Sequence, residues 1–208
     1  MEPRTLCIYV DESGNFGDVR DSSRYCTVTL VFQDETAKNA ALEREYGDAI
    51  FRLGADPESM VFHSAPLIRQ EDQFSAMSRN MRGKLFYQML SFVRKSDLCF
   101  HCFAIDTRFV ASEWQIVENL KRELQTFFSE HGELFDENTT LRVFYDGGQK
   151  GVSHILEGIS ESCPCAVVRE QRVTQGNCRM LQVAAGMVTV AEFIRFAASP
   201  SAIGRMPI

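Results

Sequence analysis

The sequence lacks the segments that would place the chain in a membrane or export it. No apolar run in its 208 residues approaches the roughly 18 that a membrane-spanning helix needs. Residues 1–14 do not combine the parts of a signal peptide. The seven cysteines are odd in number and scattered, unlike the paired framework of a small secreted domain. We therefore expect a cytoplasmic protein with no membrane partner.

Two further absences narrow the enzyme class. The chain contains neither a G-x-x-x-x-G-K phosphate-binding loop nor a Ser nucleophile elbow. It also lacks an excess of positive charge: the net charge is −6, so no global basic field attracts nucleic acid. Catalytic carboxylates contribute to the same sum, and the sign therefore does not exclude a polyanionic substrate.

The chain does have the size and pattern of a single α/β domain over residues 1–208. Its length and 45% hydrophobic content suffice for a substantial core, and sixteen Phe leave room for a homodimer interface. Strands and helices alternate in the second half, which predicts a mixed sheet, and the first two strands are expected to pair as a hairpin. The expected strands cover residues 6–10, 25–32, 98–105, 140–145 and 165–170, and the expected helices cover residues 35–53, 79–95, 112–130, 150–161 and 178–197.

The first candidate site follows the first expected strand. Asp11 and Glu12 come directly after apolar residues 6–10 and before Ser13 and Gly14. A strand tip followed by glycine is where α/β sheets hold site residues rigidly. Adjacent carboxylates repel each other unless a cation or solvent compensates, and on a continuing strand they point to opposite faces. Asp11 is therefore the principal candidate ligand, with Glu12 beside it; a plain polar turn is the alternative.

A second strand delivers a carboxylate in the same way. Residues 141–145 run into Asp146, Gly147 and Gly148. Two strands that each end in Asp can aim both carboxylates at one point, and oxygen-only ligands suit Mg²⁺ or Mn²⁺. Asp-Gly is also a common turn, so Asp146 is informative through its pairing with Asp11. The pair predicts a Mg²⁺ or Mn²⁺ site.

Three other regions carry candidate side chains. His63 can act as general base or leaving-group acid and Arg69 as a phosphate clamp, although a solvated loop histidine is the alternative. In the last helix, Gln182 and Ala185 lie on one face, which is mostly polar; an ordinary surface stripe would also explain this pattern.

Cys99 and Cys102 have the spacing of a zinc-binding pair. On a strand, however, Cys99 and His101 would face away from Cys102, and Cys163 with Cys165 supplies no matching pair. We therefore expect buried cysteines.

Four segments, taken in order, resemble a known family. Residues 9–14 are Y-V-D-E-S-G, residues 63–71 are H-S-A-P-L-I-R-Q-E, residues 145–149 are Y-D-G-G-Q and residues 181–185 are L-Q-V-A-A. They are similar to the motifs of the bacterial and phage family called domain of unknown function 3800, and the match spans nearly the whole chain. The resemblance implies a ribonuclease H-like fold and a divalent-metal nuclease site that acts on nucleic acid.

Motif position assigns the implied residues. Those implied to be catalytic are Asp11, Glu12, His63, Glu71 and Asp146. We further predict Arg69, Gln149 and Gln182 as substrate-binding residues.

One motif position departs from the family. Where the family helix has Asp, this chain has Ala185. Two-metal phosphodiester hydrolysis holds its ions roughly 4 Å apart and needs several carboxylates to position them. Loss of one would spare the fold and lower turnover severely. Either the chain is a natural variant with weak or no catalysis, or Ala185 was introduced to silence an active enzyme.

Two hypotheses remain open. The first is divalent-metal-dependent hydrolysis of RNA or DNA, impaired at Ala185. The second is a module on the same fold that binds nucleic acid or a partner protein without cutting. Binding that survives the loss of Asp11 would favour the second, and a fall of log affinity with log salt would mark phosphate contacts.

Overall fold

The computed structural model describes residues 4–16, 24–55, 60–62 and 64–197, with side chains described as far as residue 190. Strands and helices alternate along much of this part of the chain. The strands are β1 (Arg4–Ser13), β2 (Tyr25–Asp34), β3 (Cys99–Asp106), β4 (Thr139–Phe144) and β5 (Ala166–Arg169). The helices are α1 (Ala37–Arg52), α2 (Ser64–Arg69), α3 (Arg79–Lys95), α4 (Glu113–Glu130), α5 (Lys150–Ser162) and α6 (Arg179–Ala197), with short 3-10 turns at Asp72–Phe74, Thr107–Phe109 and Gly132–Leu134.

The described strands form a mixed sheet in the order β3-β2-β1-β4-β5. β1 pairs antiparallel with β2, so that Asp11 lies opposite Thr29, and β2 pairs antiparallel with β3. β1 pairs parallel with β4, with Tyr9 opposite Phe144, and β4 pairs parallel with β5. The predicted first hairpin and the predicted mixed sheet are therefore both confirmed.

Helices cover both faces of the sheet because β1 alternates between two hydrophobic cores. Leu6, Ile8 and Val10 point into a core completed by α4 and α5. Cys7 and Tyr9 point into the other core, which α1, α2, α3 and α6 complete. By the same alternation, Asp11 at the end of β1 points to the α6 side and Glu12 to the α4–α5 side.

Most predicted elements are present with small shifts of their ends. The helix predicted over residues 79–95 has the bounds of α3, and Ser112 is the N-cap of α4, where its Oγ accepts from the Gln115 amide over 3.4 Å. β1 is longer than predicted, since its ladder with β2 continues through Asp11 and Glu12. Helix α2 was not predicted, and it lies between the helices predicted over residues 35–53 and 79–95.

Candidate active site

Two parallel strands bring Asp11 and Asp146 to the same edge of the sheet. Tyr9 of β1 lies opposite Phe144 of β4, and each aspartate is two residues further along its strand direction. A left-handed glycine then turns each segment away: Gly14 has φ +100° and Gly147 has φ +80°. A Cβ on Gly14 would lie 2.7 Å from the Tyr25 carbonyl oxygen, so a larger residue there would displace β2.

One amide group shows that the two aspartates converge. Gln175 Nε2, in the loop between β5 and α6, donates to Asp11 Oδ1 over 3.3 Å and to Asp146 Oδ2 over 3.5 Å. The Asp146 carboxylate is fixed further by the Gly148 amide, which donates to Oδ1 over 3.1 Å. The two aspartates therefore share one hydrogen-bond donor, and their pairing as metal ligands stays a prediction.

Glu12 lies on the other side of Asp146 and is held by Tyr145. The Tyr145 hydroxyl donates to Glu12 Oε1 over 3.1 Å, while Oε2 is buried and has no hydrogen-bond partner among the described residues. Burial raises the pKa of Glu12 from 4.5 to about 7, and the nearby Asp146 charge adds to the rise, while hydrogen bonds from Tyr145 and Gln149 oppose it. Glu12 is therefore poised to exchange a proton near neutral pH.

Gln149 braces the loops that carry these carboxylates. Its Oε1 accepts from the Phe16 amide over 2.9 Å, and its Nε2 donates to the Gly14 carbonyl over 3.0 Å. Its own backbone amide donates to the Tyr145 hydroxyl over 2.8 Å. Both the oxygen and the nitrogen of the side-chain amide thus form hydrogen bonds within the protein. The substrate contact expected of Gln149 stays a prediction.

An open groove of about 590 Å³ adjoins this site. Its lining includes Phe16, Trp114, Gln149, Lys150 and His154. Trp114 is 69% exposed although it is a large aromatic residue. Gln149 belongs both to the groove and to the brace beside Glu12, so the groove adjoins the loops that carry the carboxylates.

The carboxylate pair fits one divalent ion. Asp11 and Asp146 offer hard oxygen donors with a combined charge of −2, which matches Mg²⁺ or Mn²⁺. Among the described residues, however, no three His, Cys, Asp or Glu side chains are grouped closely enough to hold a metal. A two-ion arrangement needs more carboxylates than the pair formed by Asp11 and Asp146.

Comparison with known proteins gives distant structural likenesses. No family model and no curated protein matches the chain. Among solved structures, it is similar to ribonuclease HII of Archaeoglobus fulgidus, solved in complex with PCNA, at 16% identity and TM-score 0.45, covering 92% of this chain and 77% of that one. It is also similar to ribonuclease H2 of Pyrococcus horikoshii OT3, at 14% identity and TM-score 0.42, covering 92% and 74%.

The chain has a ribonuclease H-like fold. Its own strand order, with β2 antiparallel to the other four strands and helices on both faces, carries this assignment. The predicted fold class is therefore confirmed. Because no family model matches, membership of domain of unknown function 3800 stays a prediction.

The segment with His63, Arg69 and Glu71 is not brought into contact with the carboxylates. His63 lies outside the described residues. Arg69 and Glu71 are exposed near the end of α2, and within the described ranges no hydrogen bond or ion pair links either one to the three site carboxylates. Arg82 caps this helix by donating to the carbonyls of Leu67 and Ile68, each over 2.8 Å. The roles predicted for these residues stay predictions.

The polar face of helix α6 is buried, so its interpretation as a surface stripe is wrong. Gln182, Ala185 and Thr189 are only 3%, 5% and 8% exposed, because α6 packs on β1 and β2 and under α2 and α3. Gln182 uses its Nε2 to hold the Gln175 carbonyl over 2.7 Å. The described side chains of α6 end at residue 190 and include no carboxylate, so Ala185 leaves this stretch of the helix without an acidic ligand.

The remaining expectations concern the cysteines and the membrane. Cys7, Cys26 and Cys165 are buried, whereas Cys99 is exposed, contrary to the expectation of buried cysteines, because it begins the outermost strand β3. Among the described helices, none is long and apolar enough to span a bilayer.

Sequence reasoning missed Gln175, the residue that joins the aspartates. It stands between Thr174 and Gly176 in a polar stretch that precedes α6, and this composition is typical of any loop. The residue is also absent from the four motifs. A signal existed for Tyr145, which immediately precedes Asp146, but its hydrogen bond to Glu12 depends on the pairing of β1 with β4.

Proposed function

We propose that this chain hydrolyses phosphodiester bonds of nucleic acid with the help of a single divalent ion. The convergence of Asp11 and Asp146 on one amide nitrogen is the observation that carries the proposal. Two strand-end carboxylates at one point are costly through repulsion and become favourable when a cation lies between them. The motif resemblance independently names the same two residues.

The position of each side chain indicates its role in this reaction. Asp11 and Asp146 would hold Mg²⁺ or Mn²⁺, which supplies Lewis-acid activation of a phosphate ester when bound. Tyr145 holds Glu12 Oε1 through its hydroxyl, and the Glu12 carboxyl group would take or return a proton. Burial raises the pKa of Tyr145, so its hydroxyl stays a donor to Glu12 at neutral pH.

The groove favours a single nucleic-acid strand as substrate. The exposed indole of Trp114 offers a face on which a base can stack. Lys150 lines the same groove and offers a positive charge to a phosphate group. Its volume falls in the usual range of ligand sites, roughly 300–1,000 Å³. Gln149 lines the groove together with Trp114, so a strand stacked on Trp114 would lie beside the loops that carry the carboxylates.

Low turnover is part of the proposal. One ion held by two aspartates provides less neutralisation of the developing phosphate charge than two ions do. Ala185, at the position where the family motif has Asp, supplies no further ligand. We therefore expect slow cleavage that depends on the divalent ion.

The test is cleavage of labelled single-stranded RNA and DNA in Mn²⁺, with EDTA as the blank. We expect slow cleavage by the unmodified chain and none by Asp146→Asn, which keeps the shape and removes the charge. Asp97→Asn is the matched control, because Asp97 forms an exposed ion pair with Lys38 that contributes little to stability. Cleavage that persists in EDTA or in Asp146→Asn would contradict the proposal. Binding without cleavage by any of these proteins would favour a binding module instead.

A further inference from the structure

Gln175 occupies the centre of the candidate ion site. Its Nε2 lies 3.3 Å from Asp11 Oδ1 and 3.5 Å from Asp146 Oδ2, so a neutral amide group stands where a cation shared by the two carboxylates would lie. The partial positive charge of the amide hydrogens relieves part of the repulsion between the aspartates.

The other end of the same amide is unsatisfied. Gln175 Oε1 is buried, and no described residue donates a hydrogen bond to it. A buried acceptor without a donor is unfavourable. Half a turn about the last side-chain bond exchanges the positions of the amide oxygen and nitrogen. That turn would direct Oε1 between the aspartates, which is unfavourable in charge beside two carboxylates alone and favourable once a divalent ion is bound to them.

The backbone of Gln175 is fixed, which leaves this rotation as the available movement. The Gln175 carbonyl accepts from Gln182 Nε2 over 2.7 Å, so α6 anchors the loop. Asn177 Oδ1 accepts from the Thr174 amide over 2.8 Å, and Asn177 Nδ2 donates to the Arg172 carbonyl over 3.0 Å. Hydrogen bonds therefore fix the loop backbone on both sides of Gln175, and the Gln175 side chain stays next to the carboxylates.

We propose that Gln175 is the third oxygen ligand of the divalent ion and that it replaces the carboxylate missing at Ala185. This inference deepens the proposed function and depends on an ion bound between Asp11 and Asp146. Carbonyl oxygens suit the same hard ions as carboxylates. Two aspartates already neutralise one divalent ion, so a neutral third ligand adds an oxygen donor without adding surplus charge. Gln182 then acts as a positioning residue, because it holds the loop.

Calorimetric titration with Mn²⁺ tests the ligand directly, with no substrate present. We compare the unmodified chain with Gln175→Met, which keeps the length and removes the hard oxygen, and with Gln175→Glu, which adds a charge. We expect the Kd to rise about tenfold or more in Gln175→Met, in line with the usual effect of disturbing a metal site, and to fall in Gln175→Glu. Gln171→Met changes an exposed glutamine in the same loop and should leave the Kd unchanged.

The outcomes separate this inference from the proposed function. If the unmodified chain binds Mn²⁺, Asp11→Asn abolishes binding and Gln175→Met binds as tightly or more tightly, the amide blocks the site and the inference is wrong while the ion site stands. If Asp11→Asn binds like the unmodified chain, or if the unmodified chain binds no ion, the ion site itself is wrong. Circular dichroism melts verify that each variant is folded, and Gln175→Ala serves as the second oxygen-free variant.

Nuclear magnetic resonance measures the rotation itself. The side-chain amide signal of Gln175 is assigned by its disappearance in Gln175→Met. Saturating Mg²⁺ should shift it strongly, because the nitrogen leaves the two carboxylates when the oxygen binds the ion. An unshifted signal in protein that has bound Mg²⁺ would contradict the proposed ligand.

Discussion

The Glu12 carboxyl group lies at the end of β1 with most of its surface withdrawn from water. Tyr145 satisfies one oxygen, and the other has no hydrogen-bond partner among the described residues. Burial and the Asp146 charge together raise its pKa to about 7, so the folded protein keeps the Glu12 proton where an unfolded chain would lose it. This single residue links site chemistry to folding stability.

We expect Glu12→Gln to remove a pH dependence from the stability of the ion-free protein. Below pH 4.5 the carboxyl is protonated in both states; from there to about 7 the unfolded chain releases the proton and the folded chain retains it. Stability should therefore fall as pH rises through this window, by up to about 3 kcal/mol relative to Glu12→Gln. Urea unfolding in EDTA across the window measures the difference. Identical pH profiles for the two proteins would show that Glu12 ionises normally.

Helix α6 packs next to the site, and its burial is the feature that its sequence pattern predicts least well. Its alternation of small and polar residues resembles a half-exposed helix, yet every residue from Met180 to Thr189 is buried. Gly186 explains part of this, because a Cβ there would overlap the Met89 sulfur of α3 and lie 3.2 Å from Ser64 Oγ. Helices α6 and α3 therefore approach each other closely at Gly186.

A pair of glycine substitutions tests this packing. Gly83 lies on the exposed side of α3 with open space around its Cβ position, so Gly83→Ala should stabilise the protein by about 1 kcal/mol through helix propensity. Gly186→Ala gains the same propensity but crowds Met89, and overpacking costs roughly 1–3 kcal/mol. We expect Gly186→Ala to be neutral or destabilising in urea unfolding. A stabilisation equal to that of Gly83→Ala would mean that α6 and α3 are further apart.

Local patterns explain why most elements could be predicted. Ser112 marks the start of α4 by its capping side chain, and apolar residues 6–10 mark β1 by themselves. The short helix α2 could not be found in this way, because its end is capped by Arg82 from a later helix. The meeting of Asp11 and Asp146 was predictable from strand ends, whereas Gln175 reaches them only through the path of the whole loop before α6.

At the scale of the whole molecule, Asp11 and Glu12 point to opposite faces of the sheet at the end of β1. Asp11 lies on the side of α6 and Gln175, and Glu12 lies on the side of α4 and α5, the two helices that also line the groove. The net charge of −6 gives no general attraction for polyanions, so affinity must come from the groove itself. His154 is engaged by Glu157 over 2.8 Å, so we expect the groove to bind through stacking on Trp114 and through the charge of Lys150.

We expect Trp114→Ala to weaken the binding of a fluorescent single-stranded oligonucleotide by about tenfold, the loss of one stacked base. Tyr87→Ala is the matched control, because Tyr87 is 63% exposed on α3, across the sheet from the groove. Binding should weaken only gently with salt, with a log–log slope of about −0.7 for each phosphate contact. Equal effects of the two substitutions, measured by fluorescence anisotropy, would exclude the groove as the binding surface.

The most direct measurement compares cleavage rates in Mn²⁺ for four proteins on labelled RNA, DNA and RNA–DNA hybrid. They are the unmodified chain, Ala185→Asp, Asp11→Asn and the double variant with both changes. We expect Ala185→Asp to cleave faster than the unmodified chain, because it restores a carboxylate at the position that the motif assigns to the helix Asp. Asp11→Asn should abolish cleavage in either background. Equal rates with and without Asp11, or no cleavage by any of the four folded proteins, would contradict a metal-dependent nuclease site.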